Sequence, residues 1–257
     1  VSFAPGGRLD LSGKVALVTG GARRVGRAIA EALASDGAQV AIHYNASERE
    51  ARELAEELRD RGCAEPATFR ADLRDPAQAE ELPGRVVERF GRLDILINSA
   101  AVMLRQPFGT VTAEMWDSVL DLNLRAYFLV AQAAAPSLRR AGGKIVNISD
   151  VAAYEPWPAY LPHSISKAGV EMLTRGLARI LAPEVTVNAV APGPVLPEEG
   201  SSGEELERLV RTIPLGRLGD PKDVTEAIRF FLSCDFVTGT TVVVDGGQLV
   251  RARSYVK

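Results

Sequence analysis

Lys14-Val-Ala-Leu-Val-Thr-Gly-Gly-Ala-Arg-Arg-Val-Gly26 is the stretch that decides the fold. An unbroken apolar run, 14–19, is too short for a helix and reads as a strand buried on both faces. A glycine-rich turn follows, and Ile29 and Leu33, four residues apart, then share one face of a helix. Glycines at such a turn let the backbone bend sharply and approach a ligand closely. The helix N-terminus adds unpaired N–H groups and a positive dipole end. Together these are what a pyrophosphate needs, so Gly20, Arg23, Arg24 and Val25 are candidate phosphate-binding residues.

The same alternation continues outward. Gln39-Val-Ala-Ile-His-Tyr44 reads as a second strand, followed by a charged helix over 48–61 that Gly62 closes. A strand at 67–71 precedes a helix at 76–90, and Asp94-Ile-Leu-Ile-Asn98 is a fourth strand. A long helix over 115–140, a strand at 144–149, a helix at 161–181 and a strand at 185–190 come next. Two helices and the strand Thr241-Val-Val-Val-Asp245 complete the series. Alternating apolar strands and helices imply a parallel sheet of about seven strands with helices on both faces. The expectation is a single-domain α/β, Rossmann-like, doubly wound fold over 14–257, with ligands at the carboxyl ends of the strands. Residues 1–13, with Pro5-Gly6-Gly7, read as a flexible N-terminal arm.

Composition narrows the function. The 257 residues are 46% hydrophobic and 25% charged, ordinary for a globular protein that can bury one large core. Thirty basic against 33 acidic side chains give a net charge of −3, so no broad positive field points to nucleic acid or a membrane surface. Cys63 and Cys234 match no metal-ligand spacing, and so few cysteines suit a reducing, cytoplasmic setting. No apolar run is long enough to span a membrane, and no secretory leader is evident.

Which dinucleotide would fit is set after the second strand. An acidic side chain there would bond a ribose 2′-hydroxyl and repel a 2′-phosphate. This chain has His43-Tyr-Asn-Ala-Ser47, with no carboxylate before Glu48 and with Arg23 and Arg24 nearby. His43, Tyr44, Asn45 and Ser47 are therefore candidates for holding NADP(H).

Thr19-Gly-Gly-Ala-Arg-Arg-Val-Gly26 resembles the glycine loop of the short-chain dehydrogenase/reductase family, and the similarity extends over about 11–253. Arg24 in place of the loop's middle glycine is similar to the pteridine reductase branch. The resemblance implies that Asp72 and Leu73 meet the adenine and that Asn98, Ser99 and Ala100 line the cofactor. It also implies that Pro192, Gly193 and Val195 surround the carboxamide. Pro214-Leu-Gly-Arg217, Thr238-Gly-Thr-Thr and Val244-Asp-Gly-Gly247 continue the likeness.

For the reacting end, the resemblance implies that Asn123 holds a water and that Lys167 binds the nicotinamide ribose. The position thirteen residues before the usual tyrosine holds Asp150 rather than serine, again as in pteridine reductases. Two departures stand out. Met103 occupies the place of an aromatic residue that would stack on a pterin. More important, His163-Ser-Ile-Ser-Lys167 begins with histidine where the family's Tyr-x-x-x-Lys places the proton donor.

His163 and Lys167, four apart, share a helical face. An imidazole ordinarily titrates near pH ~6.5, which suits proton transfer, with turnover tuned between about pH 6 and 8. Its nitrogen reaches roughly 2 Å less far from Cα than a phenol oxygen. Tyr160, seven residues before Lys167, lacks the required spacing.

The expected activity is a pteridine-reductase-like reduction of a C=N or C=O bond in a small molecule. A 3-oxoacyl thioester reductase, or an NADP-binding protein with weakened catalysis, is the alternative. The resemblance further implies a homodimer or homotetramer. The segment 196–203, rich in Pro, Glu, Ser and Gly, is expected to lie over the pocket.

Overall fold

The computed structural model describes residues 2–4, 8–196, 200 and 202–250. A short antiparallel hairpin, β1 (Ser2–Ala4) with β2 (Arg8–Asp10), opens the chain. The main sheet contains β3 (Val15–Val18), β4 (Gln39–Tyr44), β5 (Ala67–Arg70), β6 (Ile95–Asn98), β7 (Lys144–Ile148), β8 (Thr186–Pro192) and β9 (Thr241–Val244). Its seven strands run in the order β5-β4-β3-β6-β7-β8-β9, and every neighbouring pair is parallel. Order reverses at β3, flanked by β4 and β6, so the crevice for a ligand opens beyond Val18, Tyr44 and Asn98.

The helices are α1 (Arg24–Ser35), α2 (Glu48–Asp60), α3 (Pro76–Phe90), α4 (Ala113–Leu120), α5 (Ala126–Ala141), α6 (Leu161–Leu181), α7 (Gly203–Val210) and α8 (Pro221–Ser233). Two apolar cores lie on opposite faces of the sheet. One packs Ile29 and Leu33 of α1, Leu54 and Leu58 of α2, and Ile228 and Phe231 of α8. The other packs Leu82 and Val86 of α3, Val130 and Leu138 of α5, and Leu177 of α6. Neighbouring side chains on a strand point to opposite faces, which is why Leu17 and Val18 belong to different cores.

The structure refines three expectations. The helix foreseen over 115–140 is divided: Asp121–Arg125 forms one wide π turn between α4 and α5. Such a turn inserts an extra residue and redirects a side chain inward, here the buried Asn123. Helix α1 begins at Arg24, earlier than its apolar periodicity showed. The segment foreseen as a flexible arm is packed at its end, because Leu9 and Leu11 are buried in the core. Leu11 N–H also donates to Asp36 O at 2.7 Å. Of the segment foreseen over the pocket, 197–199 and 201 lie outside the described residues.

Candidate active site

A cleft of about 710 Å3 opens at the carboxyl ends of β3, β6, β7 and β8. Gly20, Arg23, Arg24, Val25 and Gly26 line one end. Ser149, Asp150, Tyr160, His163 and Lys167 line the other, with Pro192, Gly193 and Val195 along a side. A second cavity of about 540 Å3, around Pro214, Leu215 and Val243–Gly247, lacks any of these groups apart from Val195. Chemistry therefore selects the first.

The phosphate end is shaped by backbone contact. Gly20 has φ +64°, and a Cβ there would sit 2.9 Å from Ala100 Cα. A Cβ on Gly26 would lie 2.1 Å from Gly20 O, so neither site accepts a side chain without moving the loop. Thr19 Oγ1 accepts from Ser99 N–H at 2.9 Å and Ala100 N–H at 3.1 Å, tying the two strand ends together. Arg24 stands at φ +51°, a left-handed conformation costly for a side-chain-bearing residue. Its Nη2 donates to Leu196 O at 3.3 Å.

His43 has a different role from the one expected. It is buried, its Nδ1 accepts from Gly20 N–H at 2.9 Å, and its Nε2 lies 3.1 Å from Ala71 O. Burial lowers its pKa from 6.5 to about 4, which keeps the ring neutral with Nε2–H donating to Ala71 O. Both nitrogens are committed, so His43 braces the glycine loop from behind.

The side chains of three further sequence candidates have partners within the protein. Tyr44 is buried in the core, and so is the Leu73 side chain. Asn98 is fully buried, its Nδ2 donating to Asn147 Oδ1 at 2.9 Å across β6 and β7. Asn45 is exposed and Ser47 half-buried at the end of β4, Ser47 making no capping bond to α2. Asp72 Oδ1 accepts from Arg74 N–H at 3.0 Å and shapes its own turn.

At the reacting end, the π turn presents Asn123 to the loop after β6. Its Oδ1 accepts from Val102 N–H at 2.8 Å, and its Nδ2 donates to Val102 O at 2.9 Å and Ser166 Oγ at 3.2 Å. Lys167 is buried; its Nζ donates to Ile148 O at 2.7 Å and sits 5.3 Å from the centre of the Tyr127 ring. Burial lowers its pKa to about 8, against the opposing pull of Asp150 and Glu171.

His163 is sandwiched rather than projecting. Its ring stacks on Trp157, with 6.3 Å between centroids and 17° between planes. Nδ1 is 3.2 Å from Val102 O and 3.3 Å from Asn123 Nδ2. Nε2 is buried, makes no hydrogen bond among the described residues, and lies 3.5 Å from Asp150 Oδ2. Nδ1 can donate to Val102 O or accept from Asn123 Nδ2, and with either tautomer Nε2 faces the Asp150 carboxyl. The Asp150 side chain is 23% exposed and that of His163 only 4%, so Asp150 is the member that meets the cleft. Asp150 Oδ1 is held by Ala152 N–H at 2.8 Å.

Sequence reasoning missed two groups in the wall. Tyr160, set aside for its spacing from Lys167, lines the cleft and adds a ring to the side occupied by Met103. Arg105 lines it as well, and carried no motif that would have singled it out. Among the described residues no cluster of His, Cys, Asp and Glu could hold a metal, and no helix is long and apolar enough to cross a membrane.

Sheet order, glycine loop, π-turn asparagine and buried lysine define a dinucleotide-dependent oxidoreductase. A family model described as Enoyl-(Acyl carrier protein) reductase matches residues 20–248. The chain is 36% identical over 241 residues to 3-oxoacyl-[acyl-carrier-protein] reductase FabG of Staphylococcus aureus, covering 91% of this chain and 98% of that one. It superposes on a gluconate 5-dehydrogenase from Burkholderia cenocepacia, solved with NADP and tartrate, with TM-score 0.88, 32% identity and coverage of 95% and 98%. FolM alternative dihydrofolate reductase 1 from Brucella canis, complexed with NADP, gives TM-score 0.89, 33% identity and coverage of 97% and 98%.

The chain belongs to the short-chain dehydrogenase/reductase family and is an NADP-dependent reductase. The cleft suits that cofactor: Gly20 and Gly26 let the loop pack tightly on itself and on Ala100 where it lines the cleft, and Arg23 and Arg24 line the same end where β4 ends without a carboxylate.

Proposed function

We propose that this reductase uses NADPH to reduce a C=N or C=O bond and takes its proton from the Asp150–His163 pair rather than from a tyrosine. The observation that carries this reading is the 3.5 Å approach of His163 Nε2 to Asp150 Oδ2 on the cleft wall beside Lys167. NADPH, when bound, supplies the hydride. The Asp150 carboxyl protonates the substrate nitrogen or oxygen, and its solvent-exposed side takes a replacement proton from water, with His163 Nε2 beside it orienting the acid. Asn123 and Val102 keep the imidazole oriented, and Trp157 fixes its plane. Lys167, protonated below about pH 8, holds the nicotinamide ribose and favours the anionic form that Asp150 leaves behind. Arg23 and Arg24, with Asn45 and Ser47, receive the cofactor phosphates and Asp72 the adenosine. Ser99, Ala100, Pro192, Gly193 and Val195 enclose the remainder.

The substrate reading is a pterin-like ring. Arg24 and Asp150 both depart from the family's commoner residues in that direction, and a dihydrofolate reductase is among the similar structures. Tyr160 and Met103 offer the faces against which such a ring would lie. A 3-oxoacyl thioester is the second reading, favoured by the 36% identity to a reductase of that class. The protein acts in the cytoplasm as a homodimer or homotetramer. Phe128, Met172 and Ile180, exposed on α5 and α6, supply an apolar face for a second copy.

Absorbance loss at the NADPH band, measured with 7,8-dihydrobiopterin, 7,8-dihydrofolate and acetoacetyl thioester, tests the reading. Turnover by the wild type, with His163→Ala slowing it about 10²-fold or more while NADPH still binds, is expected. Activity that arises only in His163→Tyr would overturn the proposed donor and leave a cofactor-binding protein with lapsed catalysis.

A further inference from the structure

We infer that the substrate carries an anionic group, a carboxylate or phosphate, which Arg105 binds at the mouth of the cleft. The inference rests on the proposed reductase site and adds the chemical class of its substrate.

Charge within the cleft is the first observation. Its lining contains Arg23, Arg24, Arg105 and Lys167 against the single carboxylate of Asp150, in a chain whose net charge is −3. Arg23 and Arg24 stand at the start of α1 against the phosphate-binding turn. Lys167 lies beneath the nicotinamide end, its ammonium bonded to Ile148 O. Those three suffice for a phosphorylated dinucleotide. Arg105 belongs to the opposite wall, on the loop after β6, beside Val102 and Met103.

The second observation is how that loop is held. Val102 is fixed through both its N–H and its carbonyl by the Asn123 side chain, at 2.8 and 2.9 Å. Four residues on, the buried Gln106 is fixed too: its N–H donates to Ala159 O at 2.7 Å and its Nε2 to Met115 O at 3.2 Å. Residues 103–105 are thus stretched between two anchors, one on the π turn and one against α4 and the turn before α6. Met103, Leu104 and Arg105 between them are exposed.

The third observation is that the guanidinium is unspent. Arg105 makes no hydrogen bond or ion pair with any other described residue. Several other exposed arginines are paired with a carboxylate, as in Arg52 with Glu48 or Arg59 with Glu65. An unpaired planar fork lining the same cleft as the apolar Met103 and the Tyr160 ring suits a substrate with a flat or apolar body and a terminal acid.

Matched probes test this. Acetoacetate and ethyl acetoacetate share a ketone and differ in one charge. Dihydrofolate and dihydrobiopterin share a ring, and only the former bears carboxylates. The wild type is expected to favour the acid of each pair. Arg105→Ala should raise KM for the acids about tenfold, leave kcat within about twofold, and leave the neutral partners unchanged; Arg105→Lys should recover part of the loss. Should turnover prove too slow, dissociation constants of acetoacetate and its ester, read from the fluorescence of protein-bound NADPH, give the same comparison. Equal KM or Kd values for the acids in wild type and Arg105→Ala would overturn the inference while leaving the reductase reading intact. Failure of NADPH itself to bind would remove the reading and the inference together.

Discussion

The two ends of the cleft are built by different means. At the phosphate end the determinants are backbone: Gly20 and Gly26 leave no room for a Cβ, Thr19 ties β3 to the residues after β6, and His43 braces the turn. At the reacting end they are side chains drawn from separate elements. Asn123 comes from the π turn, Asp150 from the end of β7, Trp157 from a loop, and His163 and Lys167 from α6. A backbone site tolerates almost no substitution but needs no particular chemistry. A side-chain site can exchange its chemistry, which is what the proposed use of His163 requires, provided the neighbours orient the newcomer.

Breaking the phosphate end should produce the largest effect on cofactor binding. Gly26→Ala puts a methyl against Gly20 O and is expected to weaken NADPH binding by about 100-fold or more, measured by fluorescence titration. Protection at wild-type affinity would show that the loop yields more readily than its contacts imply.

His43 gives the next effect. Its folded pKa of about 4 lies below the ordinary 6.5, so the stability it contributes is present above pH 6.5 and is lost as pH falls through about 4. The total is on the order of 3 kcal/mol. Urea unfolding between pH 6.5 and 5 should steepen in the wild type relative to His43→Asn, a window above the range where most carboxylates titrate.

The titration of Lys167 at the reacting end offers a milder lever. Lys167 loses its charge as pH rises through about 8, so kcat/KM should fall by up to about tenfold per pH unit above that value. A profile flat to pH 10 would remove Lys167 from the charge balance. Smallest is the contrast with Gly26: Gly84 in α3 has open space about it, and Gly84→Ala should stabilise the fold by about 1 kcal/mol or less in the same urea assay.

The same division explains what could be read from the chain. Strand and helix alternation follows from period and length, so the seven strands are legible to within a residue or two and the 161–181 helix coincides with its expected bounds. The glycine loop was legible because only glycine satisfies its contacts. The π turn was not, because apolar spacing runs on through 115–140 without a break. His43 was placed at the right strand end but assigned to the ligand; that its ring points back to Gly20 and Ala71 depends on χ angles that no spacing reveals. His163 was located by its distance from Lys167, yet the direction of its Nε2 toward Asp150 emerges only from packing against Trp157 and Val102.

The Asp150–His163 proton is the central claim, and the single-turnover rate of NADPH oxidation in Asp150→Asn tests it most directly. Asparagine keeps the shape and the bond from Ala152 N–H but cannot give up a proton. The rate should fall by about 10²–10⁴ with NADPH affinity unchanged. A rate within about threefold of the wild type would contradict the account.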